Sequence, residues 1–166
     1  IEEHMERIER DFGKVKVKVA LDCGCGAGSL ITPYLLRRLG CKVVAINSHP
    51  SGFFPRSMEL SGDLDELSQV VRMVGADVGI AHDGDADRMM ALDENGRLIS
   101  GDKLLFILAK ELKAERIITT IDASMVLDEE FSVERTPVGD PFVSYALKRG
   151  GDFGGEPSCL LYTSPS

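Results

Sequence analysis

The stretch that organises this sequence is Asp77-Val-Gly-Ile-Ala-His-Asp-Gly-Asp-Ala-Asp-Arg88. Its apolar first half predicts a buried strand that ends at His82. Three carboxylates follow at every second position: Asp83, Asp85 and Asp87. Alternate side chains of an extended backbone lie on one side, so we expect these carboxylates to converge. Packed like charges repel unless a cation neutralises them, and a hard divalent ion such as Mg²⁺ prefers oxygen ligands. The stretch therefore predicts a Mg²⁺-binding loop.

Strands and helices alternate on both sides of this stretch. The patterns predict, in order, a short opening helix (1–12), a strand with inward valines (14–19), a helix (29–39), a strand (41–47), a helix capped by Asp63 (64–74), the strand before the carboxylates (77–82), two strands (89–92 and 97–99) and a helix capped by Asp102 (103–112). Asn95-Gly96 is a strong hairpin signal between the last two strands. This order predicts an α/β fold, with a mostly parallel sheet, helices on both faces and a β-hairpin.

The strand and helix rhythm restarts at Glu115, which sets the expected domain organisation. We expect one α/β domain over residues 1–114 and a truncated second α/β domain over residues 115–158. Residues 159–166 show neither a strand nor a helix pattern and look like a non-native tail. Because the chain also starts at Ile1 without a methionine, we expect a fragment of a longer protein.

Composition excludes several classes of function. The formal net charge is −8, and an acidic chain without a block of Lys and Arg is a poor partner for nucleic acid. No apolar run approaches the roughly 18 residues that cross a bilayer, and no signal peptide is recognisable. We therefore expect a cytoplasmic protein that binds neither nucleic acid nor membrane.

A glycine-rich loop, Asp22-Cys-Gly-Cys-Gly-Ala-Gly28, lies between a predicted strand and a predicted helix. Such loops cradle phosphate or nucleotide at a helix N-terminus, and this one is similar to the first motif of methyltransferases that use S-adenosylmethionine. Those enzymes need an acidic residue at the end of the next strand to hold ribose hydroxyls. Asn47 stands there instead, so a tight turn between strand and helix is the favoured interpretation.

An EF-hand is a second alternative for the acidic stretch. Asp83, Asp85 and Asp87 match positions one, three and five of an EF-hand loop, and Glu94 falls at position twelve. Position six, however, is Arg88 rather than glycine, and both flanks are predicted strands rather than helices. A Ca²⁺-binding module is therefore disfavoured.

Five motifs together resemble one family, the α-D-phosphohexomutases, which include phosphoglucomutase, phosphomannomutase and phosphoglucosamine mutase. They are Asp83–Arg88, similar to the family's metal loop; Asp22–Gly28 and Gly52-Phe-Phe-Pro-Arg56, similar to accessory patterns; Arg135-Thr-Pro-Val-Gly-Asp140, similar to a loop that approaches the substrate; and Gly154-Gly-Glu-Pro-Ser158, similar to the sugar-recognition loop. The resemblance covers roughly residues 1–158, the second domain and the beginning of the third.

The resemblance implies a phosphoryl-transfer mechanism. In such mutases a phosphoserine donates its phosphoryl group to a hexose monophosphate, and the bisphosphorylated sugar turns around and returns its other phosphate, which moves phosphate between the 1- and 6-positions. By this likeness Asp83, Asp85 and Asp87 hold Mg²⁺, and Arg88 contacts the transferred phosphoryl group. The alternative role of Arg88 is a salt bridge to a neighbouring aspartate. Phosphoryl transfer needs mainly positioning and charge neutralisation.

The sugar-binding residues are also implied by the resemblance. Glu156 and Ser158 would bind sugar hydroxyls, whereas Asp140 would either approach the hexose phosphate substrate or cap the helix that follows. After Ser158 the family continues with Gly-His, but this chain has Cys159 and Leu160. The first domain with its phosphoserine and the fourth, phosphate-binding domain are missing partners, so we expect the fragment to be inactive by itself.

Overall fold

The computed structural model describes residues 1–55 and 64–157, together with the backbone of residues 161–163. The chain divides into two compact units, Ile1–Leu98 and Ile99–Ser166. The sequence predicts a domain boundary at residue 114. In the structure the division comes earlier, and the helix after Ser100 belongs to the second unit. The reason is its apolar face, because Leu105 packs in one cluster with Ile117.

The elements of the described residues are as follows. The α-helices are α1 (Glu2–Phe12), α2 (Thr32–Arg38), α3 (Asp65–Val74), α4 (Gly101–Glu111) and α5 (Asp140–Arg149). The strands are β1 (Lys18–Asp22), β2 (Lys42–Ile46), β3 (Val78–His82), β4 (Met89–Leu92), β5 (Leu98–Ile99), β6 (Arg116–Thr120), β7 (Ser132–Thr136), β8 (Phe153–Gly155) and β9 (Leu161–Thr163). Two 3₁₀ turns span Ala27–Leu30 and Met125–Glu129. No helix in these described ranges is long and apolar enough to span a lipid bilayer.

The sheet of the first unit has the strand order β2-β1-β3-β4-β5. Strand β1 is parallel to both β2 and β3, and β4 runs antiparallel to β3. Asp22 pairs with Ile46 on one side and with Ala81 on the other. The carboxyl ends of the three parallel strands therefore meet at one edge, where the glycine loop and the acidic stretch both begin.

Helices cover both faces of this sheet, as the sequence predicted. Successive residues of β1 point to opposite faces, so Ala20 packs with Leu67 and Val71 of α3. Leu21 packs on the other side, in a cluster that includes Leu36 of α2. The predicted α/β class with helices on both faces and a hairpin is confirmed, but the sheet is mixed, because β4 runs antiparallel to β3.

Two predicted element starts are wrong in the first unit. The strand begins at Lys18 rather than Lys14, because the Val15 N–H donates to the Leu39 carbonyl at the end of α2 instead of to a neighbouring strand. The helix predicted from Ser29 opens as a 3₁₀ turn, and α2 starts only at Thr32. Pro33 explains this start, since proline is accepted in the first turn of a helix but not in its interior.

Helix capping also differs from the prediction. Ser100, not Asp102, caps α4, and its hydroxyl accepts a hydrogen bond from the Lys103 N–H. The Asp102 carboxylate instead accepts one from the Ser124 N–H (2.8 Å). Helix α3 starts at Asp65, and its predicted cap Asp63 lies outside the described residues.

The second unit repeats the same layered architecture. Its sheet has the order β7-β6-β8-β9, in which β6 is parallel to β7 and β8, and β9 is antiparallel to β8. On β6, Ile117 packs on the α4 side and Ile118 packs with Val143 of α5. The expectation that residues 159–166 contain no strand is wrong at Leu161–Thr163. Three residues are too few to show alternation, and their pairing with distant β8 leaves no local signal.

Candidate metal centre

The metal loop (residues 83–88) follows β3 directly and brings three carboxylates together. Asp83, Asp85 and Asp87 each place one oxygen within 4.8 Å of the other two. Asp83 is buried, whereas Asp85 and Asp87 are exposed. The backbone is not extended, in contrast to the prediction from the sequence: Ala86 has a φ of 62°, and its N–H donates to the Asp83 carbonyl. A turn therefore produces the convergence that alternation predicted.

Arg88 neutralises part of this negative charge. Its Nε donates to Asp83 Oδ2 (2.9 Å) and lies 3.5 Å from Asp87 Oδ1, and its backbone N–H donates to Asp83 Oδ1 (3.3 Å). Burial disfavours the charged guanidinium, but the charges of Asp83 and then Asp87 outweigh it, so the pKa of Arg88 is raised. The side chain is 46% exposed. The salt bridge foreseen as its alternative role is present.

The donor set of the metal loop fits a hard divalent cation. Mg²⁺ takes oxygen ligands at about 2.1 Å in octahedral geometry, which separates ligand oxygens by roughly 3–4 Å. The observed separations, all within 4.8 Å, come close to this spacing. Asp85 and Asp87 are exposed, so their side chains can rotate inward while buried Asp83 stays in place.

The glycine loop (residues 22–28) lies against the metal loop, a contact that the sequence does not predict. The Ala27 N–H donates to the carbonyl oxygen of Gly84 (2.9 Å). A Cβ at Gly26 would lie 2.8 Å from the carbonyl carbon of Gly84 and closer still to its oxygen. Glycine at position 26 therefore permits a backbone approach that any side chain would prevent.

The conformation of the glycine loop is fixed from within the first unit. Buried Asp22 accepts hydrogen bonds from the Gly24 N–H (2.9 Å) and from Asn47 Nδ2 (3.2 Å). The Cys25 N–H donates to the Asn47 carbonyl (2.7 Å). Asn47 stands where a methyltransferase would have its ribose-binding acid, and here it ties the loop to the end of β2. The Ala27 N–H, a donor that a bound phosphate would need, is already used by Gly84.

Phe54 also contacts the metal loop. A Cβ at Gly84 would lie 2.7 Å from the Phe54 ring, so the missing side chain lets the ring rest on the loop backbone. Phe54 belongs to the accessory motif 52–56, of which Arg56 lies outside the described residues. His82 packs beside Gly28, and its Nδ1 is 3.4 Å from the Arg88 carbonyl. His49 is exposed in the loop after β2.

The flanks of the metal loop exclude an EF-hand. The loop connects β3 to the antiparallel β4, whereas an EF-hand loop connects two helices. Glu94, which would have to supply the last ligand, lies beyond β4 and accepts a hydrogen bond from the Asn95 side chain.

The predicted sugar-binding residues belong to the second unit. Buried Glu156 follows β8, and its Oε1 accepts the Gly139 N–H (3.0 Å), which joins the two loops that the sequence singled out there. Asp140 is the first residue of α5 rather than its cap, which is Gly139. Arg135 lies in β7 and makes a bidentate ion pair with Asp128 (2.7 and 2.8 Å). Ser158 lies outside the described residues.

Family models match both units. Residues 2–96 match the model described as phosphoglucomutase/phosphomannomutase, alpha/beta/alpha domain II, and residues 100–164 match the model of domain III from the same family. The chain belongs to the phosphoglucomutase/phosphomannomutase family. The resemblance inferred from its motifs is confirmed, and the methyltransferase and EF-hand alternatives gain no support from these matches.

Two similar curated relatives carry the same name. The "Probable phosphoglucosamine mutase" of Methanocella arvoryzae is 48% identical over 162 residues, which cover 94% of this chain and 37% of the relative. A protein with the same printed name from Methanothermobacter thermautotrophicus is 50% identical over 152 residues, covering 87% of this chain and 34% of the relative. The chain thus spans little more than a third of the curated relatives that it matches.

Solved structures share the fold. A phosphoglucomutase/phosphomannomutase family protein from Burkholderia thailandensis superposes with a TM-score of 0.83 at 23% identity, covering 95% of this chain and 38% of that one. The Paramecium phosphoglucomutase parafusin gives a TM-score of 0.77 at 19% identity, covering 98% of this chain and 34% of that one. At these identities the likeness concerns the fold alone.

Proposed function

We propose that this chain supplies the metal-binding domain and part of the sugar-binding domain of a phosphohexomutase that acts on phosphoglucosamine. The convergence of Asp83, Asp85 and Asp87 at the carboxyl edge of the first sheet carries the proposal. The relatives named as phosphoglucosamine mutases favour an amino sugar phosphate over other hexose phosphates. The phosphoserine and the phosphate-binding residues would come from domains I and IV of the whole protein.

Each group of the metal loop has a distinct role in this proposal. Asp83, Asp85 and Asp87 hold Mg²⁺, which supplies Lewis-acid stabilisation of the phosphoryl oxygens when bound. Arg88 orients the phosphoryl group through donors on its guanidinium, whose planar fork suits phosphate oxygens. Because the side chain already pairs with Asp83 and Asp87, its charge is held at the edge where the transfer would occur.

The second unit would contribute recognition of the sugar. Glu156 and Ser158 would bind hydroxyl groups, and Asp140 would lie near the substrate at the start of α5. Glu156 keeps one oxygen on the Gly139 N–H, so its carboxylate is oriented by the loop that precedes Asp140. A cytoplasmic location completes the proposal, because charged sugar phosphates do not cross membranes unaided.

Metal binding is tested first on the chain as it stands. We expect paramagnetic Mn²⁺, which accepts the same oxygen ligands as Mg²⁺, to broaden NMR signals of residues 83–88 and to be displaced by Mg²⁺. Asp85→Asn should weaken this binding, whereas the matched control Glu94→Gln should leave it unchanged. Equal effects of the two variants, or broadening elsewhere in a folded sample, would remove the metal assignment.

Catalysis is tested in a chimera. The corresponding segment of the Methanocella arvoryzae relative is replaced by this chain, and interconversion of glucosamine phosphates is measured. We expect activity in the chimera and a loss of at least about a hundredfold with Asp85→Asn, the scale of a lost electrostatic group in a transition state. A folded chimera that converts glucose phosphates but not glucosamine phosphates would contradict the proposed substrate.

A further inference from the structure

We propose that the glycine loop is a positioning element for the metal loop, so that Gly26 and Ala27 set metal affinity without contacting the metal. This inference rests on the proposed Mg²⁺ site and extends it to residues distant in sequence. The glycine loop follows β1, the metal loop follows β3, and the two strands are parallel neighbours in the sheet.

The contact acts on the residue between two of the proposed ligands. Gly84 stands between Asp83 and Asp85, and its carbonyl oxygen accepts the Ala27 N–H (2.9 Å). The Phe54 ring rests where a side chain of Gly84 would stand. A displacement of the Gly84 backbone would therefore shift both adjoining carboxylates, and only Asp83 is held by burial.

The glycine loop is itself well anchored, so it can serve as a fixed support. Asp22 is almost completely buried and binds both the Gly24 N–H and Asn47 Nδ2. Gly24, Cys25 and Asn47 all adopt positive φ angles, of 58°, 53° and 48°. Hydrogen bonds hold this otherwise unfavourable backbone in place. Substitution of residues that orient metal ligands in this way commonly lowers metal affinity by about 10–100-fold.

Three glycines of the first unit form a graded series. A Cβ at Gly26 would collide with the Gly84 backbone, whereas one at Gly28 would meet the side chains of His82 (3.1 Å) and Ala86 (3.3 Å). A Cβ at Gly75, at the end of α3, would have nothing within 4 Å, although its φ of 60° strains any other residue. Gly75→Ala therefore lowers stability without touching the metal loop.

The experiment measures Mn²⁺ affinity of the full chain by the electron paramagnetic resonance signal of free Mn²⁺, with Mg²⁺ competition. We expect Gly26→Ala to weaken binding about tenfold or more, Gly28→Ala to weaken it by a smaller factor, and Gly75→Ala to bind as the unmodified chain does. Hydrogen exchange in β1 and β3 shows whether each variant is folded and how much stability it has lost.

The outcomes separate this inference from the proposed function. If the unmodified chain fails to bind Mn²⁺, the metal assignment itself fails. If it binds, and folded Gly26→Ala binds equally well or loses no more affinity than Gly75→Ala, the positioning role is overturned. If Gly26→Ala does not fold, the Mn²⁺ affinity of Asn47→Gly is measured instead. Glycine accepts the positive φ at position 47, and the substitution removes the side-chain donor to Asp22. A several-fold loss of affinity supports the inference, and unchanged affinity overturns it.

Discussion

Asp85→Asn should change the stability of the first unit in opposite directions without and with divalent metal. In the metal-free chain Asp85 faces two other carboxylates, Asp83 and Asp87, within 4.8 Å. Removing its charge relieves that repulsion and should raise the free energy of unfolding. When metal is present, the same substitution removes a proposed ligand and should lower the stabilisation that binding provides.

The size of the metal-free effect follows from the distance. Two like charges 4.8 Å apart repel by about 0.9 kcal/mol at the dielectric constant of water. Salt weakens this interaction, Arg88 offsets part of it, and the unfolded chain retains some repulsion between such close neighbours. We therefore expect Asp85→Asn to stabilise the metal-free unit by about 0.5 kcal/mol. When metal is present, binding stabilises the wild type by RT ln(1 + [metal]/Kd), which exceeds about 0.5 kcal/mol once the metal concentration is slightly above Kd.

Hydrogen exchange of the β3 amides, residues 78–82, is the suitable assay because it reports on the first unit alone. Exchange is measured in chelator and in saturating Mg²⁺ for the wild type, Asp85→Asn and the control Glu94→Gln. We expect Asp85→Asn to exchange more slowly than wild type in chelator and faster in Mg²⁺. A variant that is destabilised equally in both conditions would refute the electrostatic reasoning, since a packing defect does not depend on metal.

Three further predictions concern single contacts. Glu156→Ala should destabilise the second unit by about 1–3 kcal/mol, because the Gly139 N–H loses its charged acceptor. Glu156→Gln keeps an acceptor and should lower the free energy of unfolding by less, as denaturant unfolding of the two variants can show. The hydrogen bond from Arg135 lowers the pKa of Asp128 from its ordinary value of 3.8. The stability that Asp128 contributes is therefore present above pH 3.8 and lost as pH falls further, so Asp128→Asn should flatten the acid unfolding curve. Burial raises the pKa of Cys23 to about 11, and the charge of Asp22 contributes to this shift. Iodoacetamide at mildly alkaline pH should therefore leave Cys23 unmodified until the chain unfolds, as peptide mass spectrometry can show.

The parts of the fold that could be predicted are those with local signals. The apolar run before Asp83 and the Asn95-Gly96 turn defined β3 and the following hairpin, because burial and turn chemistry are written in neighbouring residues. The start of β1 was misplaced, since alternation of Lys and Val identifies inward side chains but not the residues that pair. Likewise β9 is specified by its distant partner β8, which no local pattern records.

At the candidate site the types of the candidate ligand residues could be predicted, but the contacts that position them could not. The spacing of Asp83, Asp85 and Asp87 suggested convergence, although the actual backbone turns at Ala86. The hydrogen bond from Ala27 to Gly84 depends on the parallel pairing of β1 with β3, so the sequence alone could present the glycine loop only as a turn or a cofactor cradle. The glycines themselves were the available signal, because they mark where two backbones approach closely.

The contact between Ala27 and Gly84 has a consequence for the order of folding. It joins segments far apart in the sequence, and contacts between distant segments form only after the intervening chain has been organised, at an entropic cost. The β1–β3 pair must assemble before the metal loop reaches its final geometry. We therefore expect metal capture to be a late kinetic event, and stopped-flow refolding in Mn²⁺ should show ion uptake lagging behind the formation of secondary structure.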